Sequence, residues 1–177
     1  GYPGDGTGHY LVQLCGPIYE HMIHEINNTG AILLGCHSRY NFIAKMDNET
    51  RAKVEVLPYV RWVGVYQPAF KLYQQTMEGG GYGTFLVYLF RTENVARADR
   101  DLRSLGGIIL TYSETDVIKF LAVNCSRSLL DKIANLPYVY WIEESFPSEP
   151  ENDRCQWVNQ KGLPPTDTTR PVWRQRI

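Results

Sequence analysis

The sequence predicts an α+β protein made of two tandem copies of one β-α-β-β-α-β module. Three blocks that recur in the same order predict it. Leu57-Pro58-Tyr59-Val60-Arg61-Trp62-Val63 returns as Leu136-Pro137-Tyr138-Val139-Tyr140-Trp141-Ile142, an offset of 79 residues. Tyr10-Leu11-Val12-Gln13-Leu14 returns as Phe85-Leu86-Val87-Tyr88-Leu89 at an offset of 75, and Gly30-Ala31-Ile32-Leu33-Leu34 as Gly106-Gly107-Ile108-Ile109-Leu110 at 76. The offset grows along the chain in small steps, as it does when short insertions fall in loops.

Each element follows from local chemistry. Residues 10–14 are a short apolar run of β-formers, hence a strand. Pro17 suits the first turn of a helix, where no amide donor is needed. Ile18, Met22 and Ile26 continue it at helical spacing, and Gly30 stands where a left-handed cap ends it. Residues 31–36 and 40–46 read as two strands around a turn. Asp47 is a good N-cap for a second helix carrying Thr50, Val54 and Leu57. Pro58 stops that helix, and 59–66 is the last strand. In the second copy Val95, Ala98, Leu102 and Leu105 form the first helix, closed by Gly106. Asn124 stands as the counterpart cap before Leu129, Ile133 and Leu136, Pro137 ends that helix, and 138–143 is the final strand.

This order is the ferredoxin-like split βαβ pattern, a four-stranded antiparallel sheet with two helices on one face. A copy of roughly 65 residues is small for an independent core, so the two copies are expected to lean on each other. The chain divides into an N-terminal arm (1–9), a first module (10–76), a Gly-rich linker (77–83), a second module (84–148) and an extended Pro-rich tail (149–177).

Composition narrows the function. Eighteen basic and 19 acidic residues leave a net charge of −1, with no basic surplus for nucleic acid. Apolar residues at 44% suffice for a folded core. No apolar run approaches the ~18 residues of a membrane helix. Gly1 begins a Gly-rich polar stretch rather than an apolar signal segment.

Cys15, Cys36, Cys125 and Cys155 include no C-x-x-C pair, which excludes the usual zinc and thioredoxin-like spacings. Cys15 and Cys36 follow two strands that run parallel in the predicted topology. Cys125 opens the last helix and Cys155 lies beyond the last strand. Disulfides Cys15–Cys36 and Cys125–Cys155 are therefore expected; four separate thiols are the alternative, and sequence alone leaves all three pairings open. Asn27, Asn48 and Asn124 head N-x-Ser/Thr triplets and are glycosylation candidates in a secreted chain. His21 and His24 are three apart on the first helix; the second copy has Arg97 and Arg100 in that region, so they read as a solvated face rather than as metal ligands. The run Gly79 to Gly83 lacks a Gly-Lys-Ser/Thr ending and precedes a strand, so it reads as a linker and not a phosphate loop.

The strand Tyr10-Leu11-Val12-Gln13, the helix ending in Gly30-Ala31 and the Leu57 to Val63 segment together resemble the tandem propeptide, inhibitor-like modules of subtilisin-like serine proteases. The tail strengthens the likeness: Gln156 to Gly162, then Thr169-Arg170-Pro171-Val172-Trp173, resembles the junction leading into the catalytic domain of such enzymes. The resemblance covers about residues 9 to 173. It implies a module that assists folding of a protease and occupies its cleft, with the segment after the final strand lying along that cleft. Glu143, Glu144, Ser145 and Phe146, and in the tail Trp157 and Trp173, are the partner-contact candidates. The chain has no Asp-Thr-Gly, His-Gly-Thr or Gly-Thr-Ser motif and ends at Ile177, where the resemblance expects a catalytic domain to begin. The Ser–His–Asp constellation needs all three groups, so no protease activity is expected, nor any cofactor.

Two functions follow from this reading. One is a secreted, extracellular, non-catalytic inhibitor-like or folding-assistant protein whose partner is a subtilisin-like protease domain. The other is a structural subunit of an extracellular filament, in which copies of the chain join through open edge strands and terminal tails.

Overall fold

The computed structural model describes Tyr2 and residues 6–37 and 40–145. Strand β1 (Gly8–Leu14) leads to helix α1 (Glu20–Asn28), strands β2 (Ile32–Cys36) and β3 (Asn41–Met46), helix α2 (Asn48–Glu55) and strand β4 (Val60–Val65). A 3-10 turn at Pro68–Phe70 and a single helical turn α3 (Gln74–Met77) connect to the second copy. That copy comprises β5 (Tyr82–Leu89), α4 (Val95–Ser104), β6 (Ile108–Glu114), β7 (Lys119–Ser126), α5 (Leu130–Ala134) and β8 (Val139–Glu144). The protein is thus α+β, with two four-stranded sheets ordered β2-β3-β1-β4 and β6-β7-β5-β8. Every neighbouring pair of strands is antiparallel.

Alternation along the strands decides what is buried. Tyr10, Val12 and Leu14 of β1 and Phe42, Ala44 and Met46 of β3 point to one face, where Ile26 of α1 and Val54 of α2 meet them. Phe85, Val87 and Leu89 of β5 and Leu121, Val123 and Cys125 of β7 do the same beneath Ala98 and Leu102 of α4 and Ile133 of α5. Each sheet therefore buries one face under its own two helices and leaves the other face to be dealt with elsewhere.

The repeated Leu-Pro-Tyr-Val segment is a structural joint. In both copies the Val amide donates to the Leu carbonyl two steps after the helix, Val60 to Leu57 and Val139 to Leu136. The Tyr carbonyl then accepts from the residue just past the first strand, Cys15 N–H to Tyr59 O and Phe90 N–H to Tyr138 O. The Tyr hydroxyl reaches the first helix, donating to Glu25 in one copy and to Asp101 in the other, each at 2.8 Å. One tyrosine thus ties the second helix, the sheet and the first helix together, which explains why this block is the best preserved of the three.

Three expectations are corrected. Helix α1 begins at Glu20, not at Pro17, because Tyr19 is extended (φ −112, ψ 152) and its carbonyl starts the helix by accepting from Met22 N–H. Asn124 is not a helix cap, and Cys125 does not open a helix: both lie inside β7, and Ser126 accepts from the Ser128 amide to start the turn that leads into α5. The expected Cys15–Cys36 bridge is not formed. Both are free, exposed thiols. Strand β3 lies between β1 and β2, so two strand spacings of about 4.8 Å each separate them, more than the roughly 7 Å of Cα separation a disulfide spans. Asp47 caps α2 as expected, accepting from Thr50 N–H at 2.8 Å, and Gly30 and Gly106 end α1 and α4 with φ near +100°.

Leu102 is fully buried between α4 and the second sheet, whereas Val56 is 80% exposed. Leu102→Ala should cost about 2–5 kcal/mol in guanidinium unfolding. Val56→Ala should change stability by less than about 0.5 kcal/mol.

Candidate partner-binding surface

The two modules treat their second sheet faces differently. On the first sheet this face carries His9, Leu11, Ile43, Lys45 and Tyr66, and the second module covers it. Phe90 and Tyr140 pack with Ile43, Tyr66, Leu11 and Leu34 in a third apolar cluster. The His9 ring lies flat on Phe90 with centroids 3.6 Å apart. Polar contacts frame this joint: Lys45 Nζ meets Glu93 Oε1 at 2.7 Å, and Arg91 donates to the Leu33 carbonyl at 2.6 Å.

On the second sheet the equivalent face is half-buried, and Tyr73 of the connector packs against part of it. Strand register puts Leu86 and Tyr88 of β5, Phe120 and Ala122 of β7 and Trp141 and Glu143 of β8 side by side on it. Tyr88 leans on Phe120 with centroids 5.6 Å apart, and Tyr73 stands edge-on to Trp141 at 5.0 Å. Glu143 accepts from the Tyr88 hydroxyl at 2.7 Å, and burial with that carboxylate nearby pushes the phenol up to about 12. The result is a half-buried aromatic face with the Glu143 carboxylate beside it. Trp62, the repeat counterpart of Trp141, is 49% exposed on the first sheet and lies across Gly64, where any Cβ would collide with the indole.

The residues expected to touch a partner are distributed unevenly. Glu143 belongs to the aromatic face. Glu144 points to the helix side, as alternation requires, and pairs with Arg127, whose guanidinium also donates to the Thr76 carbonyl at 2.8 Å. Ser145 N–H donates to Thr84 O and extends the pairing of β8 with β5 by one bond. Phe146, Trp157 and Trp173 lie outside the described residues, as does Cys155, so the Cys125–Cys155 pairing falls there too. Cys125 is buried, and desolvation raises its thiol to about 11. Asn27 and Asn48 are exposed at the end of α1 and the start of α2, where a glycan has room. Asn124 is half-buried, with Nδ2 3.4 Å from Thr84 Oγ1.

His24 sits 3.7 Å from Glu20 on the exposed side of α1, and His21 stacks on Tyr19. Among the described residues no group of three His, Cys, Asp or Glu is placed to hold a metal ion. No described helix is long and apolar enough to cross a membrane.

Sequence reasoning missed the fastening between the modules. Lys71, in the connector, is completely buried. Its ammonium donates to the Leu136 carbonyl at 2.7 Å and to the Tyr2 hydroxyl at 2.8 Å, and it lies over the Tyr2 ring. Tyr2 in turn donates to Ala134 O and exchanges hydrogen bonds with the Gln67 side chain. The Lys71 carbonyl accepts from Ile142 N–H at 2.7 Å, so the connector caps part of the outer edge of β8. A single lysine in Ala69-Phe70-Lys71-Leu72-Tyr73 carries no sequence signal of this role. No family model matches the chain, and no curated protein matches it in sequence.

Burial lowers the Lys71 pKa from 10.5 to about 7. Between those values the unfolded chain holds the Lys71 proton and the folded chain does not, so this group makes stability rise with pH; below about 7 both states are protonated and its contribution is flat. Cys125 and the buried tyrosines act in the opposite sense only above pH 9. From pH 7.0 to 8.5 unfolding free energy should therefore rise by about 2 kcal/mol. The rise should vanish in Lys71→Met, as followed by denaturant titration at both pH values.

Proposed function

We propose that this chain is a secreted, non-catalytic pair of propeptide-like modules that acts through protein–protein contacts, with a subtilisin-like protease domain as partner. The aromatic face of the second sheet carries this reading. It joins Leu86, Tyr88, Phe120 and Trp141, all half-buried, and its aromatic types are enriched at interface cores. Its margin leads through Glu143 and Ser145 into the extended segment that the sequence resemblance assigns to the cleft. The strand orders β2-β3-β1-β4 and β6-β7-β5-β8, each with two helices over one face, support a ferredoxin-like reading of each module. On this reading the module sets its second sheet face on the partner and the segment after β8 in the partner's groove.

A second reading is favoured by strand β6. It is an outer strand whose Ile108, Leu110 and Tyr112 are all more than half exposed, and an edge of that composition invites another strand. On this reading copies of the chain join edge to edge in an extracellular filament.

The test is inhibition of a purified subtilisin by the full chain, with the particle size measured in the same buffer. Tight, stoichiometric inhibition by a monomer is the expected result. Trp141→Ala should then weaken it about 30-fold, the roughly 2 kcal/mol of a lost interface hot spot. Absence of inhibition, with long particles of regular repeat in the microscope, overturns the inhibitor reading in favour of the filament.

A further inference from the structure

A cavity of about 380 Å³ opens where the first module, the second module and the N-terminal arm meet. Its walls are the rings of Tyr10, Tyr66 and Tyr138 with Val65 and Pro137, and its polar groups are His9, Lys45, Glu93 and Arg97. That volume lies at the lower end of the roughly 300–1,000 Å³ found for small-molecule sites, which share this mixture of an apolar wall and a few convergent polar groups.

His9 brings a buried, unpaired ring nitrogen to the cavity. The residue is only 9% exposed, yet its Nε2 has no hydrogen-bond partner. The ring lies stacked on Phe90, with its other nitrogen toward the Pro137 carbonyl. With Nδ1 donating to that carbonyl, Nε2 of the neutral imidazole is an acceptor. Glu93 Oε1, 3.7 Å away, is itself an acceptor and already takes the Lys45 ammonium. What His9 lacks is a hydroxyl or amine donor delivered from the cavity, since a buried polar atom left unpaired is costly.

The charges of the wall decide between ligand classes. Lys45 is paired with Glu93, and Arg97 lies 3.7 Å from Asp101, so each cation has its carboxylate and the cavity has no net attraction for an anion. The tyrosine hydroxyls are also engaged: Tyr10 donates to Gly6 O, Tyr66 reaches Phe70 O and Tyr140 O, and Tyr138 donates to Asp101. They therefore offer ring surface rather than hydrogen bonds. A ligand that suits this site is neutral, carries several hydroxyls able both to donate and to accept, and has C–H surface to lay on aromatic rings.

From this geometry we infer that the cavity between the modules binds a neutral polyhydroxylic ligand the size of one sugar unit, with a ligand hydroxyl donating to His9 Nε2. Glu93 accepts a neighbouring hydroxyl, and Lys45 and Arg97 donate to ligand oxygens. The site uses neither the aromatic face nor the β6 edge, so it stands apart from both functional readings.

The experiment is a titration of the full chain, uniformly labelled with 15N, with D-glucose, D-galactose, D-mannose and N-acetylglucosamine, each to 100-fold excess, read by the imidazole nitrogen resonances. His9→Phe keeps the stacking on Phe90, removes the acceptor and identifies the His9 signal by its loss. Glycine and inorganic phosphate are the charged controls. The expected result is a saturable shift of the His9 Nε2 resonance with at least one sugar, with affinity at least about 10-fold weaker in His9→Phe. Thermal unfolding of the variant establishes that it folds, and the wild-type titration decides independently of it. Saturable binding of phosphate or glycine at His9, or no saturable shift with any of the four sugars, overturns the inference and leaves a cavity that water alone fills.

Discussion

The covering of the first sheet's second face by Phe90 and Tyr140 is the contact on which the rest of this structure depends. A four-stranded sheet with helices on one side leaves its other side apolar and wet, and a module this small has little core to spare. The first module answers by lending that face to the second. Ile43 and Tyr66 are buried in one cluster with Phe90, and Tyr140 packs against it. The Lys45–Glu93 pair, the His9–Phe90 stack and the Arg91 bond to Leu33 O then fix the angle of approach.

This arrangement makes two identical folds unequal. The second module gives up the ends of β5 and β8 to the joint, and its own second face carries Leu86, Tyr88, Phe120 and Trp141, all half-buried. The unequal treatment explains why Trp62 and Trp141, which occupy the same place in the repeat, do different things. Trp62 folds back over Gly64, whose missing side chain makes room for it. Trp141 is braced by Tyr73 from the connector and stands beside Tyr88 and Glu143. A repeat in sequence therefore does not imply two equivalent faces, and the packing between copies makes them differ.

The joint is also where polar groups are buried against their preference. Lys71 loses its hydration and is held by one carbonyl and one hydroxyl, so its proton is loosely bound. His9, beside Glu93 and Lys45, has its pKa lowered to about 4, chiefly by desolvation, so it stays neutral in ordinary conditions. Apolar side chains of similar size would pack there at less cost. The junction thus combines a tie that holds the modules together with a cavity that retains an unpaired acceptor.

The sequence by itself determined the local elements and their duplication. Alternation in Tyr10 to Leu14 and Phe85 to Leu89, the Asp47 cap, the glycines after α1 and α4 and the Leu-Pro-Tyr-Val joints are all local patterns, read within a few residues of one another. It misjudged Pro17, Asn124 and the Cys15–Cys36 pairing, since a start signal competes with neighbouring ones and a disulfide depends on which strand lies between. Tertiary structure alone decided that β3 separates those cysteines, that Phe90 and Tyr140 pack on the second face of the first sheet, and that Tyr2, His9 and Lys71 converge with Pro137 and Leu136 at a junction. These contacts run from Tyr66 with Phe90, 24 positions apart, to Tyr2 with Ala134, 132 apart, and no periodicity or motif in a single chain encodes them.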